Sequence, residues 1–136
     1  MKNLFLSILL FFTVGATKDT FAHCQVPCGI YGDQNRFEQM LEDQSTIEKA
    51  SKLINELSGK KDAQSQNQLS RWVSTKESHA TAIQKTIADY FMAQRIKASD
   101  PKYVEKLTKA HSIMVAAMKC KQSVDAETSA SLKQAI

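Results

Sequence analysis

Glycine and proline are scarce, four and two in 136 residues. That scarcity excludes collagen-like, linker-rich and low-complexity chains. Three cysteines build no dense disulfide framework, and a chain of this size buries roughly two thirds of its surface without one. Lysine and arginine are scattered among acids, with no basic run and no interleaved aromatics, so no nucleic-acid surface is expected. No apolar run reaches the roughly 20 residues that a membrane span needs, so no stable membrane anchor is expected. What is present is 43% hydrophobic residues, among them six Phe, three Tyr and one Trp. These are enough anchors to fold one compact domain, and too many for a disordered tail.

The first 22 residues read as a cleaved leader, a signal peptide or a pro-piece. Lys2 supplies a positive start, and Leu4 to Val14 is apolar except for Ser7 and Thr13, the pattern of a secretory signal peptide. Thr20 and Ala22 stand at minus three and minus one of a cut that exposes His23, while a rival cut after Ala16 leaves a short piece for a second protease. His23 separates Ala22 from Cys24, so the lipidation pattern of a Cys directly after small residues is missing. The long apolar run favours a periplasmic or secreted protein; a pro-piece alone would leave it cytoplasmic. Loss of Lys2, Lys18 and Asp19 with the leader takes the net charge to about +3, a mild field that favours an anionic substrate or partner.

Downstream of residue 33 the dominant signal is helical period. Phe37, Met40, Leu41, Ile47, Ala50, Ile54 and Leu57 recur at steps of three and four, with Gly59 as the stop. After a polar stretch from Lys60 to Asn67, a second stripe runs through Leu69, Trp72, Val73, Ala80, Ile83, Ile87, Tyr90 and Phe91. Asp100 and Pro101 suit an N-cap and first helical residue. They open a third stripe of Val104, Leu107, Ala110, Met114, Val115 and Met118. A short fourth helix follows Asp125 with Ala126, Ala130, Leu132 and Ile136. Four amphipathic helices with short connections predict an all-α, antiparallel four-helix bundle over residues 33–136, preceded by an irregular segment over 23–32.

The chemistry is concentrated in that segment, His23-Cys24-Gln25-Val26-Pro27-Cys28-Gly29-Ile30-Tyr31. Two soft thiols four residues apart, with an imidazole beside the first, are a dense set of metal donors. Pro27 fixes one φ and Gly29 permits a positive one, so the chain can curl until both sulfurs face one centre. If His23 is the N-terminus, its α-amine, with an ordinary pKa of about 7.7 to 8.0, can bind a metal near neutral pH. The Cys24 amide nitrogen then lies between that amine and the Cys24 thiolate, and Cys28 fills a fourth corner. Two nitrogens and two sulfurs in a plane suit Ni(II) or Cu(II) over tetrahedral zinc.

The segment resembles the nickel hook of the nickel superoxide dismutase family, His-Cys-x-x-Pro-Cys-Gly-x-Tyr, with every fixed position present from His23 to Tyr31. The resemblance extends more weakly to Arg71, Lys76 and Glu77 and to Asp89, Tyr90 and Phe91. It implies a four-helix subunit in a homohexamer, with one nickel ion per subunit. The implied ligands are the α-amine and imidazole of His23, the main-chain nitrogen and thiolate of Cys24, and the thiolate of Cys28. It also implies a cis turn at Val26-Pro27, Tyr31 and Tyr90 as catalytic tyrosines beside the open metal face, and Glu38 orienting the axial histidine. The implied reaction is superoxide disproportionation through Ni(III) and Ni(II), and a leader-processing protease is the implied partner.

This chain departs from the family pattern in three places. Gln25 stands where Asp is common, His79 where an arginine commonly supports the axial histidine, and the last helix stops at Ile136, short of the family's usual end. The competing reading is a small exported helical binding or metal-carrier protein with a Cys24–Cys28 disulfide. Cys120 reads as a packed or surface thiol, His111 as solvated or structural, and Met40, Met92, Met114 and Met118 as packing. Lys76 with Glu77 reads as a solvated helix face.

Overall fold

The structure is a computed structural model and describes residues 32–136. Helix α1 spans Asp33–Leu57. Gly32 precedes it in an extended conformation with no side-chain cap, and Asp33 in the first turn complements the helix dipole instead. Helix α2 spans Ala63–Thr86, capped by the Asp62 carboxylate, which accepts from the Ser65 amide at 2.9 Å. It continues into a π-helical segment, Ile87–Arg95. Helix α3 spans Tyr103–Gln122 and α4 spans Ala126–Ala135.

Cross-helix hydrogen bonds establish the directions. Asp33 meets Tyr90 and Asp43 meets His79, so α1 and α2 run antiparallel. Lys76 meets Cys120 and Gln84 meets Met114, so α2 and α3 do the same. Gln44 meets Ser129 and Asn55 meets Val124, which closes the ring between α1 and α4. The expected all-α antiparallel bundle is thus observed, with no strand among the described residues. Its core holds Met40, Ile47, Ala80, Ile83, Ala117, Cys120 and Leu132 at zero exposure. Each fully buried Ile or Leu contributes roughly 1.5–3 kcal/mol.

Several expectations need correction. The polar stretch after α1 is helical from Ala63, because Asp62 starts a helix whose first turns carry no apolar stripe. Gly59 ends nothing by a left-handed turn; the Ser58 amide simply closes on the Ile54 carbonyl at 2.9 Å. Asp100 caps the turn that feeds α3 and not the helix itself: its carboxylate accepts from the Lys102 amide at 2.8 Å, and the helix opens at Tyr103. Leu41, Val73, Met92, Val104 and Met118 are exposed, as are Ala126 and Ala130. In a closed ring each helix is covered only along the arc facing its neighbours, so residues at the margins of a wide stripe meet water. Lys76, expected in solvent, is 3% exposed. Among the described residues no helix is long and apolar enough to cross a membrane.

Candidate metal centre and its helical support

His23, Cys24, Pro27, Cys28, Gly29 and Tyr31 lie outside the described residues. Glu38, His79 and Tyr90 lie inside them, on α1, on α2 and in the π-helical segment. The structure therefore describes the helical body that follows the expected hook in sequence. That body begins at Asp33, the first residue of α1.

Asp33 is the centre of a side-chain cluster. Arg95 grips it at two points, Nε to Oδ1 at 2.7 Å and Nη2 to Oδ2 at 3.0 Å, a fork-on-carboxylate geometry. The Tyr90 hydroxyl donates to Oδ1 at 2.9 Å. The Arg36 and Arg95 guanidinium carbons sit 5.3 and 5.9 Å from the Tyr90 ring centroid, close enough for cation–π attraction. Phe91 meets the Tyr90 ring edge-on at 5.1 Å, and Phe37 packs on Phe91 at 5.0 Å. The Arg95 hydrogen bond holds the Asp33 carboxyl below the usual carboxylate range. Burial, followed by the bond to Asp33, pushes the Tyr90 phenol above its usual value. Around neutral pH the cluster is a carboxylate, a guanidinium and a neutral phenol.

The π-helical winding makes this cluster possible. In an α-helix residues 90 and 95 would point about 140° apart at 100° per residue. Here the Ile96 amide bonds the Phe91 carbonyl at 2.8 Å, an i→i+5 closure, and five-residue spacing places Tyr90 and Arg95 on one face. Nothing in the residue pattern marks this winding. Asp33, Arg36 and Arg95 were accordingly missed as partners of Tyr90.

The other two predicted support residues have these partners among the described residues. Glu38 is exposed and accepts from Gln34 Nε2 at 3.1 Å. His79 Nδ1 lies 2.6 Å from Asp43 Oδ1, with the histidine side chain 36% and the aspartate 13% exposed. Asp43 was also missed, although it sits within the buried face of α1 between Met40 and Ile47. A cavity of about 510 Å³ opens beside the cluster, with Phe37, Ile87, Phe91 and Ile113 forming apolar wall and Asp33 and Arg95 at its edge.

The described helices offer no competing metal site. Among the described residues no three His, Cys, Asp or Glu side chains come together to hold an ion. Cys120 is fully buried, and burial pushes its thiol above the ordinary range, as fits the packed thiol expected. His111 is exposed. The donors left for a soft, electron-poor metal are one imidazole and two thiols within six residues of sequence, His23 to Cys28, a set that fits nickel.

The family model for nickel-containing superoxide dismutase matches residues 18–136, the hook and all four helices included. The chain belongs to that family. No curated protein and no solved structure gives a match. The enzyme is thus a superoxide dismutase, an oxidoreductase with nickel as its cofactor, and the cluster around Asp33 stands at the start of its helical body.

Proposed function

We propose that this enzyme disproportionates superoxide on a single nickel ion held by the α-amine and imidazole of His23, the main-chain nitrogen and thiolate of Cys24, and the thiolate of Cys28. The observation that carries the reading is the complete hook pattern, His23 to Tyr31, inside a family match that extends to residue 136. When bound, nickel supplies a one-electron acceptor and then a one-electron donor, Ni(III) and Ni(II). With nickel bound, one superoxide would give up an electron and leave as dioxygen, and a second would take up an electron and two protons and leave as hydrogen peroxide.

The chain's residues do the rest. Thiolate and amide donors are anionic and stabilise the higher oxidation state that aqueous nickel reaches only at inaccessible potentials. Pro27 and Gly29 would shape the turn, Glu38 and His79 would orient the His23 imidazole, and Tyr31 and Tyr90 would order water and restrict access beside the metal. The mild positive charge of the processed chain favours approach of an anion. The leader, residues 1–22, directs export to the periplasm or beyond and is removed by a protease to free His23, and the subunits assemble as a homohexamer.

The test combines N-terminal sequencing, metal analysis and superoxide decay on the processed chain. One nickel per subunit, His23 at the terminus and rapid dismutation are expected, with Cys24→Ser and Cys28→Ser losing both metal and turnover. His23→Ala should lose more turnover than nickel. A processed chain carrying a Cys24–Cys28 disulfide in place of nickel overturns the reading.

A further inference from the structure

We propose that the cavity between α1, the π-helical segment, α3 and the end of α4 binds a free medium-chain aliphatic carboxylate, its head group on Lys106 and Lys109 and its tail among Phe37, Phe91, Ile113 and Ile136. The residues that carry this site all belong to the helical body, and the inference goes beyond the proposed function without resting on it.

The walls are apolar and unfilled. Phe37, Ile96 and Ile136 pack against the core yet stay partly exposed, and all three line the cavity. Its volume of about 510 Å³ falls among pockets that take small ligands, roughly 300–1,000 Å³ with apolar walls and a few polar groups that fix orientation. Those polar groups stand on one side. Along α3 the buried residues Cys120, Ala117, Ile113 and Ala110 recur at steps of four and three toward the N-terminus, and the next position of that stripe is Lys106, with Lys109 beside Ala110. A stripe that is apolar along the core thus turns cationic where it meets the cavity, and both lysines line it.

The two lysines have donors to spare. Arg95 is gripped by Asp33 at two points, so at that edge of the cavity the charges balance. Lys106 pairs with Asp100 and Lys109 with Glu105, and neither acid lines the cavity. An ammonium carries three N–H donors, so one carboxylate partner does not exhaust it. The Lys109–Glu105 pair is 71% and 53% exposed and is held by little. A cationic edge disfavours an amine, and an apolar wall gains nothing from a short polar acid; an amphipathic anion suits both. Burial of each methylene raises affinity about fourfold, so affinity should climb with chain length until the cavity is full.

The experiment titrates the processed, nickel-loaded enzyme with octanoate, hexanoate and octylamine, following isoleucine methyl groups by NMR and affinity by calorimetry. Octanoate should shift Ile87, Ile96, Ile113 and Ile136, which line the cavity, and leave Ile47 and Ile54 in place. It should bind roughly tenfold more tightly than hexanoate, and octylamine should shift none of the four. Lys106→Gln combined with Lys109→Gln alters exposed side chains only. It should keep the fold and weaken octanoate roughly tenfold. Octylamine binding as well as octanoate, lining isoleucines unmoved by octanoate, or full affinity in the double variant each overturns the site. So do lining signals that move with protein concentration and ignore octanoate, which would give the cavity to a second copy of the chain. Nickel content and superoxide decay are read on the same samples; their loss overturns the proposed function and leaves this site standing.

Discussion

Lys76 and Tyr90 are both polar, both nearly closed off from water at 3% and 5% exposure, and both on the long helical stretch that begins at Ala63. Their hydrogen bonds go to different kinds of partner. Lys76 Nζ donates to the main-chain carbonyls of Cys120, Lys121 at 2.8 Å and Ser123 at 3.4 Å. It is an ammonium placed where the last turn of α3 leaves carbonyls without helical partners and where the helix dipole is negative. Tyr90 bonds a side chain, Asp33, which a second side chain holds. One arrangement completes a helix end and serves the fold. The other fixes the direction of a phenol against the first residue of α1.

The contrast is sharpest when each is broken. Lys76→Met keeps the volume and removes the charge, leaving the α3 carbonyls buried without a donor, and should cost about 3 kcal/mol of stability. Thermal or urea unfolding checks this. Turnover per bound nickel should stay as it is, because among the described residues Lys76 bonds α3 and its C-terminal end and not the Asp33 cluster. A Lys76→Met enzyme with unchanged stability would mean that the ammonium is not needed to close α3. Tyr90→Phe is the mirror case. It removes one hydrogen bond to a partly exposed carboxylate and should cost only about 1 kcal/mol, while its effect on superoxide decay is the larger one.

The pH dependence of unfolding adds a second distinction. The Tyr90 value is raised in the folded protein, so its contribution is full below the unfolded value of about 10 and fades as pH rises through the higher folded value. Asp33 is lowered, so its contribution is full above about 3.9 and fades as pH falls through the lower folded value. Melting temperature should therefore drop at both extremes on account of this cluster. Tyr90→Phe should flatten the alkaline limb, and Arg95→Gln should weaken the acid one. An alkaline limb unchanged in Tyr90→Phe would assign it to the lysines instead.

The helical bundle was legible because burial imposes a period on the residue types, and Met40, Ile47, Ile54, Ala80, Ile83 and Ile87 follow it. The same period contained the signal for Lys76. The second stripe skips from Val73 to Ala80, and residue 76 fills the missing turn. A gap in an apolar stripe occupied by a long cation is a buried, helix-capping lysine as readily as a solvated one. Gln44 fills a similar gap in the first stripe, and its amide reaches the Ser129 carbonyl at 3.0 Å. Asp62 was readable too, as a helix-capping residue type with an amide donor three residues on. The π-helical winding was not, since it comes from packing between Ile87 and Ile96 and leaves no compositional mark. Without it Asp33, Arg95 and Tyr90 are three unrelated positions. The expected hook of His23, Cys24 and Cys28 lies outside the described residues.

A last and smallest effect separates a contact that merely accompanies the π-helical winding from those that use it. Lys85 and Asp89 form an ion pair across the junction of α2 with the segment, with the lysine side chain 70% exposed. Exposed pairs at this spacing are screened by water and contribute about 0.3–0.5 kcal/mol. Lys85→Ala should shift unfolding by no more than that. It should leave the Tyr90 titration untouched, because the i→i+5 closure rests on the Ile96 amide and on the burial of Ile87 and Phe91. A Tyr90 midpoint that moves in Lys85→Ala would show that surface charge, and not buried packing, holds the segment in its unusual winding, and the separation between fold-serving and site-serving polar groups would then not hold along this helix.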